Sequence, residues 1–280
     1  MKHIFIVIFA FFTWILSAQE YDNLGQMLRI HNVIMGKGII KGETGLGISQ
    51  LTYQPPNEAL IDYTRITTIA AFDINPVKHF HIKTQLFFDL IKNERTPPYL
   101  SNMYYQIGWY NWENKSVSFG YENYGANRFS NQTTGWGVNL KRGFFFTSYN
   151  LDLLGDYSSL KFDETSQIRI IPSIRYSLEY PDKFGIEKGG NNKITLSTAA
   201  RWSIAKRLYI EGAIYYYPEI ETRLPWDPDF TYGFGFFNWK AFKLNVAYGN
   251  WIANRFPWDK KEMPHTALNG EFKLTFTWAL

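Results

Sequence analysis

His79, His81, Lys83 and Gln85 occupy every second position of one segment, with Asp89 further along in the same phase. On an extended strand that spacing puts all five side chains on one face. Two imidazoles so placed are a possible metal pair, but no third ligand at matching spacing accompanies them, and a His pair without metal is the favoured reading. Ser130, next to Asn131, is a candidate nucleophile. It needs a base within hydrogen-bond reach, and neither His79–His81 nor the solitary His265 stands near it in the chain. There is no Gly-rich phosphate loop. The chain has no cysteine, which removes disulfides, thiolate metal sites and lipid-modified cysteine. The expectation is a protein without catalytic residues, metal or cofactor.

Charged residues recur in the same two-residue phase elsewhere. Glu122, then Arg169, Arg175 and Glu179, then Arg201, Arg207 and Glu211, then Lys243 and Lys273 each alternate with apolar neighbours. With Lys83 and Asp89 they make seven basic and four acidic candidates for a single polar surface. A second pattern repeats. Arg223-Leu224-Pro225-Trp226-Asp227 matches Arg255-Phe256-Pro257-Trp258-Asp259, and Asn127-Arg128-Phe129 echoes Asn254-Arg255-Phe256. Proline stiffens such loops, tryptophan offers a stacking surface, and Arg with Asp offers fixed polar contacts. A loop-borne binding patch for a sugar or a partner protein is one reading; loop packing with a tryptophan anchor is the one we favour.

The elements that must carry these residues are strands. Leu208, Ile210, Gly212, Ile214 and Tyr216 face away from Arg207, Tyr209, Glu211, Ala213 and Tyr215. Phe230, Tyr232, Phe234 and Phe236 form an aromatic line, and Ile168 to Tyr180 alternates in the same way. Short polar turns (Asn75–Lys78, Glu113–Lys115, Lys141–Gly143, Ala205–Lys206, Asn238–Lys240) largely alternate with longer linkers rich in Pro, Gly and charge. A soluble sandwich has no reason to sort its connections by length. An up-and-down barrel with its two rims in different compartments does.

Aromatic residues are 19% of the 280, with 23 Phe, 19 Tyr and 10 Trp, too many for a disordered chain. No window after the first has the ~18 consecutive apolar residues of a spanning helix. Residues 1–18 read as a cleaved secretory signal: Lys2, the apolar run Ile4–Leu16, then Ser17-Ala18. Its removal leaves 28 basic and 25 acidic residues, a net charge of +3 too weak and dispersed for nucleic-acid binding. Residues 19–38 fit a short helix or a strand, and residues 39–280 form the barrel. The count is about 14 strands; 12 becomes the alternative if Asp156–Ser166 is loop.

The chain closes on Phe272-Lys273-Leu274-Thr275-Phe276-Thr277-Trp278-Ala279-Leu280, apolar at every second position. This ending resembles the C-terminal signature of bacterial outer-membrane β-barrel proteins, with Leu280 where Phe or Trp is usual. The resemblance implies an all-β transmembrane up-and-down antiparallel β-barrel, porin-like, in the cell outer membrane of a Gram-negative bacterium. It implies outer-membrane lipid around it and the barrel-assembly machinery as a partner through the last strand. In hydrocarbon every backbone polar group must pair within the protein, and a closed barrel achieves this without helices. Tyr63, Trp109, Tyr121, Trp136, Tyr176, Tyr180, Trp202, Tyr216, Tyr248 and Trp278 are the candidate interfacial rings. The polar face then lines the lumen, and Arg128, Arg223, Trp226, Asp227, Arg255, Trp258 and Asp259 lie in extracellular loops. The leading functional expectation is passive diffusion of small polar solutes with mild anion preference. A non-conducting accessory barrel docked on another outer-membrane protein is the alternative. A lipid-modifying hydrolase is the distant third, since outer-membrane phospholipases and lipid A deacylases use a His–Ser pair that Ser130-Asn131 only superficially resembles.

Overall fold

The computed structural model describes residues 40–53, 61–91, 101–124, 140–141, 143–153, 166–179, 191–205, 207–224, 227–237, 244–251, 254–256, 258 and 270–279. Residues 1–18 and 19–38 lie outside the described residues.

Twelve strands follow one another: β1 (Ile40–Tyr53), β2 (Ile61–Val77), β3 (Phe80–Asp89), β4 (Met103–Trp109), β5 (Ser116–Asn123), β6 (Phe144–Asp152), β7 (Gln167–Glu179), β8 (Asn191–Ala205), β9 (Leu208–Tyr216), β10 (Phe230–Phe236), β11 (Leu244–Asn250) and β12 (Glu271–Ala279). Each pairs antiparallel with the next, and β1 pairs with β12 from Lys41↔Ala279 to Ser49↔Glu271, closing the barrel. The strand count is therefore the twelve of the alternative. β5 pairs directly with β6, and β6 directly with β7. Asp156–Ser166, apart from Ser166, lies outside the described residues. Lys141–Gly143 is not a separate short turn: it ends the β5–β6 connection, on the rim away from the chain ends.

The two rims differ. Ile40 and Ala279 share one, here called the terminal rim, with the tight turns Val77–Phe80 and Ala205–Leu208. The β2–β3 turn works because His79 takes a left-handed φ of 67° and the Asn75 amide donates to the Val77 and Phe80 carbonyls at 3.0 and 2.6 Å. A register shift between Ile74 and Val77 absorbs Pro76, which has no N–H to offer a ladder. The β6–β7 connection, from Asp152 to Gln167, is the long exception on this rim.

The wall is apolar outside and polar inside. Leu46, Ile82, Ile107, Phe119, Phe145, Ile174, Leu196, Ile210, Ile214, Val246, Leu274 and Phe276 all point outward and are exposed. Their strand neighbours Glu43, Asp73, Lys83, Gln106, Glu122, Arg175, Arg201, Glu211 and Lys273 are buried inside. Apolar surface of this extent is incompatible with water and matches hydrocarbon. Of the interfacial candidates, Trp109, Tyr176 and Tyr216 are exposed outward, while Tyr121 and Trp202 are half-buried. Trp278 also has outward phase but is covered: its ring lies across Gly42 and meets Phe72 edge-on at 5.5 Å, clasping β12, β1 and β2 at the closure. Tyr248 is covered in the same way by Phe234 and Phe272, at 5.4 and 5.0 Å. Trp136, Tyr180 and the Tyr63 side chain lie outside the described residues.

Candidate functional site: the barrel interior

The inward face is built by strand phase alone, so each strand delivers one polar column. Among the described side chains of the wall strands, eight buried basic residues (Lys41, Arg65, Lys83, Arg169, Arg175, Lys193, Arg201, Lys273) face five buried acids (Glu43, Asp73, Glu122, Glu211, Glu271). Basic residues outnumber acids among these described side chains, which include several that the sequence-based reading did not name.

Most of these charges are compensated within reach. Arg201 Nη1 lies 3.9 Å from Glu211 Oε2, and Lys273 Nζ lies 2.9 Å from Glu271 Oε2. Asp73 holds His81 Nδ1 at 2.9 Å and Lys83 Nζ at 3.9 Å. Glu122 accepts from Tyr110 at 3.2 Å, from Tyr124 at 3.0 Å and from the Gln106 amide. Aromatic faces take up much of the rest. Lys83 Nζ sits 4.6 Å from the Tyr110 centroid and 5.7 Å from Trp112. The Arg175 guanidinium lies 4.9 Å from Phe144 and 5.7 Å from Tyr215, and that of Arg201 lies 4.1 Å from Tyr209. A desolvated cation over a ring gains up to about 2 kcal/mol, which helps explain why so many cations tolerate burial here.

Long charged and aromatic side chains thus reach inward from β3 to β9 and pack on one another. A cavity of about 50 Å³, lined by Tyr110, Trp112, Glu122, Phe146, Ile171 and Arg175 among others, remains beside β4–β8. That is room for a few waters.

The predicted lumen residues Lys83, Glu122, Arg169, Arg175, Arg201, Glu211 and Lys273 are all on the inner face and buried. Asp89 stands at the distal end of β3, about a quarter exposed, where its Oδ1 takes Arg65 Nε at 2.5 Å. Arg207 is not a lumen residue: it occupies the tight β8–β9 turn, exposed, with its guanidinium 5.8 Å from the outward ring of Phe236. A phase argument cannot see that the strand has already ended. The Glu179 side chain and Lys243 lie outside the described residues. His79 and His81 part company, since His81 turns inward to Asp73 while His79 leans on Trp109 at the rim. Among the described residues no three His, Asp or Glu converge on a metal position. Sequence reasoning missed Lys41, Glu43, Arg65, Asp73, Lys193 and Glu271. On β1 the outward phase is masked by Gly42 and Thr44, so Lys41 and Glu43 carried no alternation signal.

The repeated loop motif has turned inward. Arg255 is buried between the β9–β10 and β11–β12 connections, donating to the carbonyls of Leu224 (3.1 Å) and Asp227 and lying 3.7 Å from Asp229 Oδ1. Arg223 pairs with the same Asp229 oxygen at 3.0 Å, and Asp227 takes Lys193 and the Leu224 N–H. Burial lowers the Arg255 pKa, and the neighbouring Arg223 adds to that, while Asp229 and Asp227 oppose it. Burial likewise raises the Tyr217 phenol well above its ordinary value, with Asp227 adding to it; the hydroxyl donates to the Pro228 carbonyl at 2.7 Å. Arg223, Asp227 and Arg255 are thus the fasteners of the distal rim, and Trp258, 80% exposed and stacked on Phe256 at 4.7 Å, is the projecting member. Arg128, Trp226 and Asp259 lie outside the described residues.

Two mutations test this assignment. Arg255→Ala removes hydrogen bonds from a charged group, each worth about 1.5–3 kcal/mol. Limited proteolysis of the distal loops should then accelerate at least tenfold while the barrel keeps its heat-modifiable gel mobility. Arg201→Met leaves Glu211 in the interior without its nearest cation and should cost about 3–5 kcal/mol. Urea unfolding in detergent should show Arg201→Met with Glu211→Met recovering most of that loss.

A closed antiparallel barrel with hydrocarbon-matched exterior and charged interior defines the class: this is a transmembrane β-barrel of the outer-membrane type. No protein-family model matches the chain, and no curated protein matches it. Among solved structures the chain is similar to Salmonella typhi OmpF in its complex with daunomycin, at 8% identity, over 86% of this chain and 97% of that one, with a TM-score of 0.36.

Proposed function

We propose that the barrel is a narrow outer-membrane channel for small polar solutes, with a mild preference for anions. The observation that carries this reading is the charge inside the wall. A lumen filled only for rigidity is served as well by apolar side chains, since replacing buried ion pairs with packed hydrophobes is often neutral or stabilising by about 1–4 kcal/mol. Among the described side chains, eight basic and five acidic inward residues instead keep the axis polar, with positive charge in excess among them. Passage requires small displacements of the flexible Lys and Arg side chains, so the channel filters by size. Purified protein in a planar bilayer should give discrete, small conductance steps. A silent bilayer containing folded barrel would overturn the reading.

The paired charges and ring-covered cations of the interior favour one second reading, a non-conducting accessory barrel that docks on another outer-membrane protein through its distal loops. Trp258, and Trp226 in the matching motif, are its contact candidates. Gentle detergent pull-down would recover a stable partner that is lost in Trp226→Ala with Trp258→Ala. Targeting by a cleaved signal at residues 1–18 and recognition of the last strand by the assembly machinery belong to both readings.

A further inference from the structure

The β6–β7 ladder is interrupted at one place. Between β6 and β7 the pairing runs as far as Ser148↔Ser173 and resumes only at Leu151↔Ile170. The gap falls where Pro172 meets Tyr149 in that register. Proline has no N–H, so the Tyr149 carbonyl loses its ladder donor at a position facing lipid, where an unsatisfied group is expensive. Outside, Pro172 lies on the floor of an apolar furrow of about 610 Å³ that crosses β5 to β9, walled by Tyr149, Ile174, Leu196, Ile214 and Tyr216. That is the size of a small-molecule site, about 300–1,000 Å³. Inside lies the lumen cavity with Arg175 and the rings of Tyr110, Trp112 and Phe146. Ser148, Ser173 and Ser197 line both. These three side chains are small, and Ser173 Oγ and Ser197 Oγ are 2.6 Å apart.

We infer that the β6–β7 seam at Pro172 is a lateral portal that takes a long-chain carboxylate, its acyl chain in the furrow and its head directed through the serine row toward Arg175. Three features select that occupant. The furrow is continuous with the hydrocarbon-facing surface, where acyl chains are the molecules at hand. Its lining is almost wholly apolar, while the three hydroxyls and the guanidinium behind it suit an oxyanion and not an alkane. Arg175 is the cation in the lining of that cavity, while its acid, Glu122, is turned to Tyr110, Tyr124 and the Gln106 amide. This site stands independently of axial conduction.

The test is photo-crosslinking of the full chain in lipid nanodiscs with diazirine-bearing palmitic acid, against a diazirine alkane of equal length, with adducts mapped by mass spectrometry. With the diazirine on the carbon next to the carboxyl group, and at the matching end of the alkane, the carboxylate probe should label the furrow and also Phe146 and Ile171 on the lumen side; the alkane should label the furrow alone. Pro172→Val restores the N–H and should cut lumen adducts at least fivefold while furrow adducts persist. Arg175→Gln, checked for folding by gel mobility, should cut them similarly. Even labelling around the whole outer surface, equal lumen labelling by both probes, or lumen adducts indifferent to Pro172→Val would each overturn the portal.

Discussion

Gly45→Val should abolish barrel closure. A Cβ at Gly45 would stand 2.1 Å from the Leu274 carbonyl oxygen and 2.6 Å from the Thr275 Cα, both backbone atoms of β12. No rotamer relieves such a collision, so β1 and β12 must part where Gly45 pairs with Thr275. Parting them frees two strand edges in hydrocarbon, with several kcal/mol lost for each unsatisfied backbone group. The expected result is no heat-modifiable folded band in detergent or lipid and a loss beyond about 5 kcal/mol, the range reserved for a broken framework. Gly212→Ala is the matched control. Its added Cβ meets only the Thr231 carbonyl oxygen at 3.2 Å, which a small shift accommodates, and it should fold with little loss. Normal folding of Gly45→Val would mean that the closure is wrong.

Reversing Arg169 and Arg175 together to Glu should invert ion selectivity. The described inward side chains then change from eight basic against five acidic to six against seven. Both sit on β7 with inward side chains, and the change spares the Arg201–Glu211 pair. In a low-dielectric lumen each charge acts at more than its strength in water, and a tenfold change of permeability ratio needs only about 1.4 kcal/mol. Zero-current potentials across a salt gradient should change sign from anion-selective to cation-selective. Arg207→Glu, at the exposed turn, should shift them little. An unchanged potential in Arg169→Glu with Arg175→Glu would remove these residues from the permeation path.

The lumen site was legible wherever an element was long and cleanly alternating. Arg169 and Arg175 on β7, and Glu211 on β9, could be assigned because every neighbour in opposite phase is apolar. Lys41 and Arg65 were not, because Gly42, Thr44, Thr64 and Thr68 blur the outward phase of β1 and β2. Arg207 failed for a different reason. Phase continues on paper past the end of a strand, whereas the backbone bends into the turn. The loop motif was legible as a repeat but not as a structure: that Arg223 and Arg255 converge on Asp229 depends on two connections far apart in the chain being brought side by side by β10 and β11.

What the sequence determines by itself is which side chains face lipid and which face the lumen, since a period of two is a property of each residue and its immediate neighbours. Sorted turns and the terminal alternation then require closure, because hydrocarbon tolerates no free edge. What only the tertiary structure decides is register. Twelve strands and not fourteen, Trp278 laid across Gly42, Arg201 opposite Glu211, and Pro172 aligned with Tyr149 all follow from how far each strand is slid against its partner. That offset is set by the ring as a whole, and no local stretch of sequence contains it.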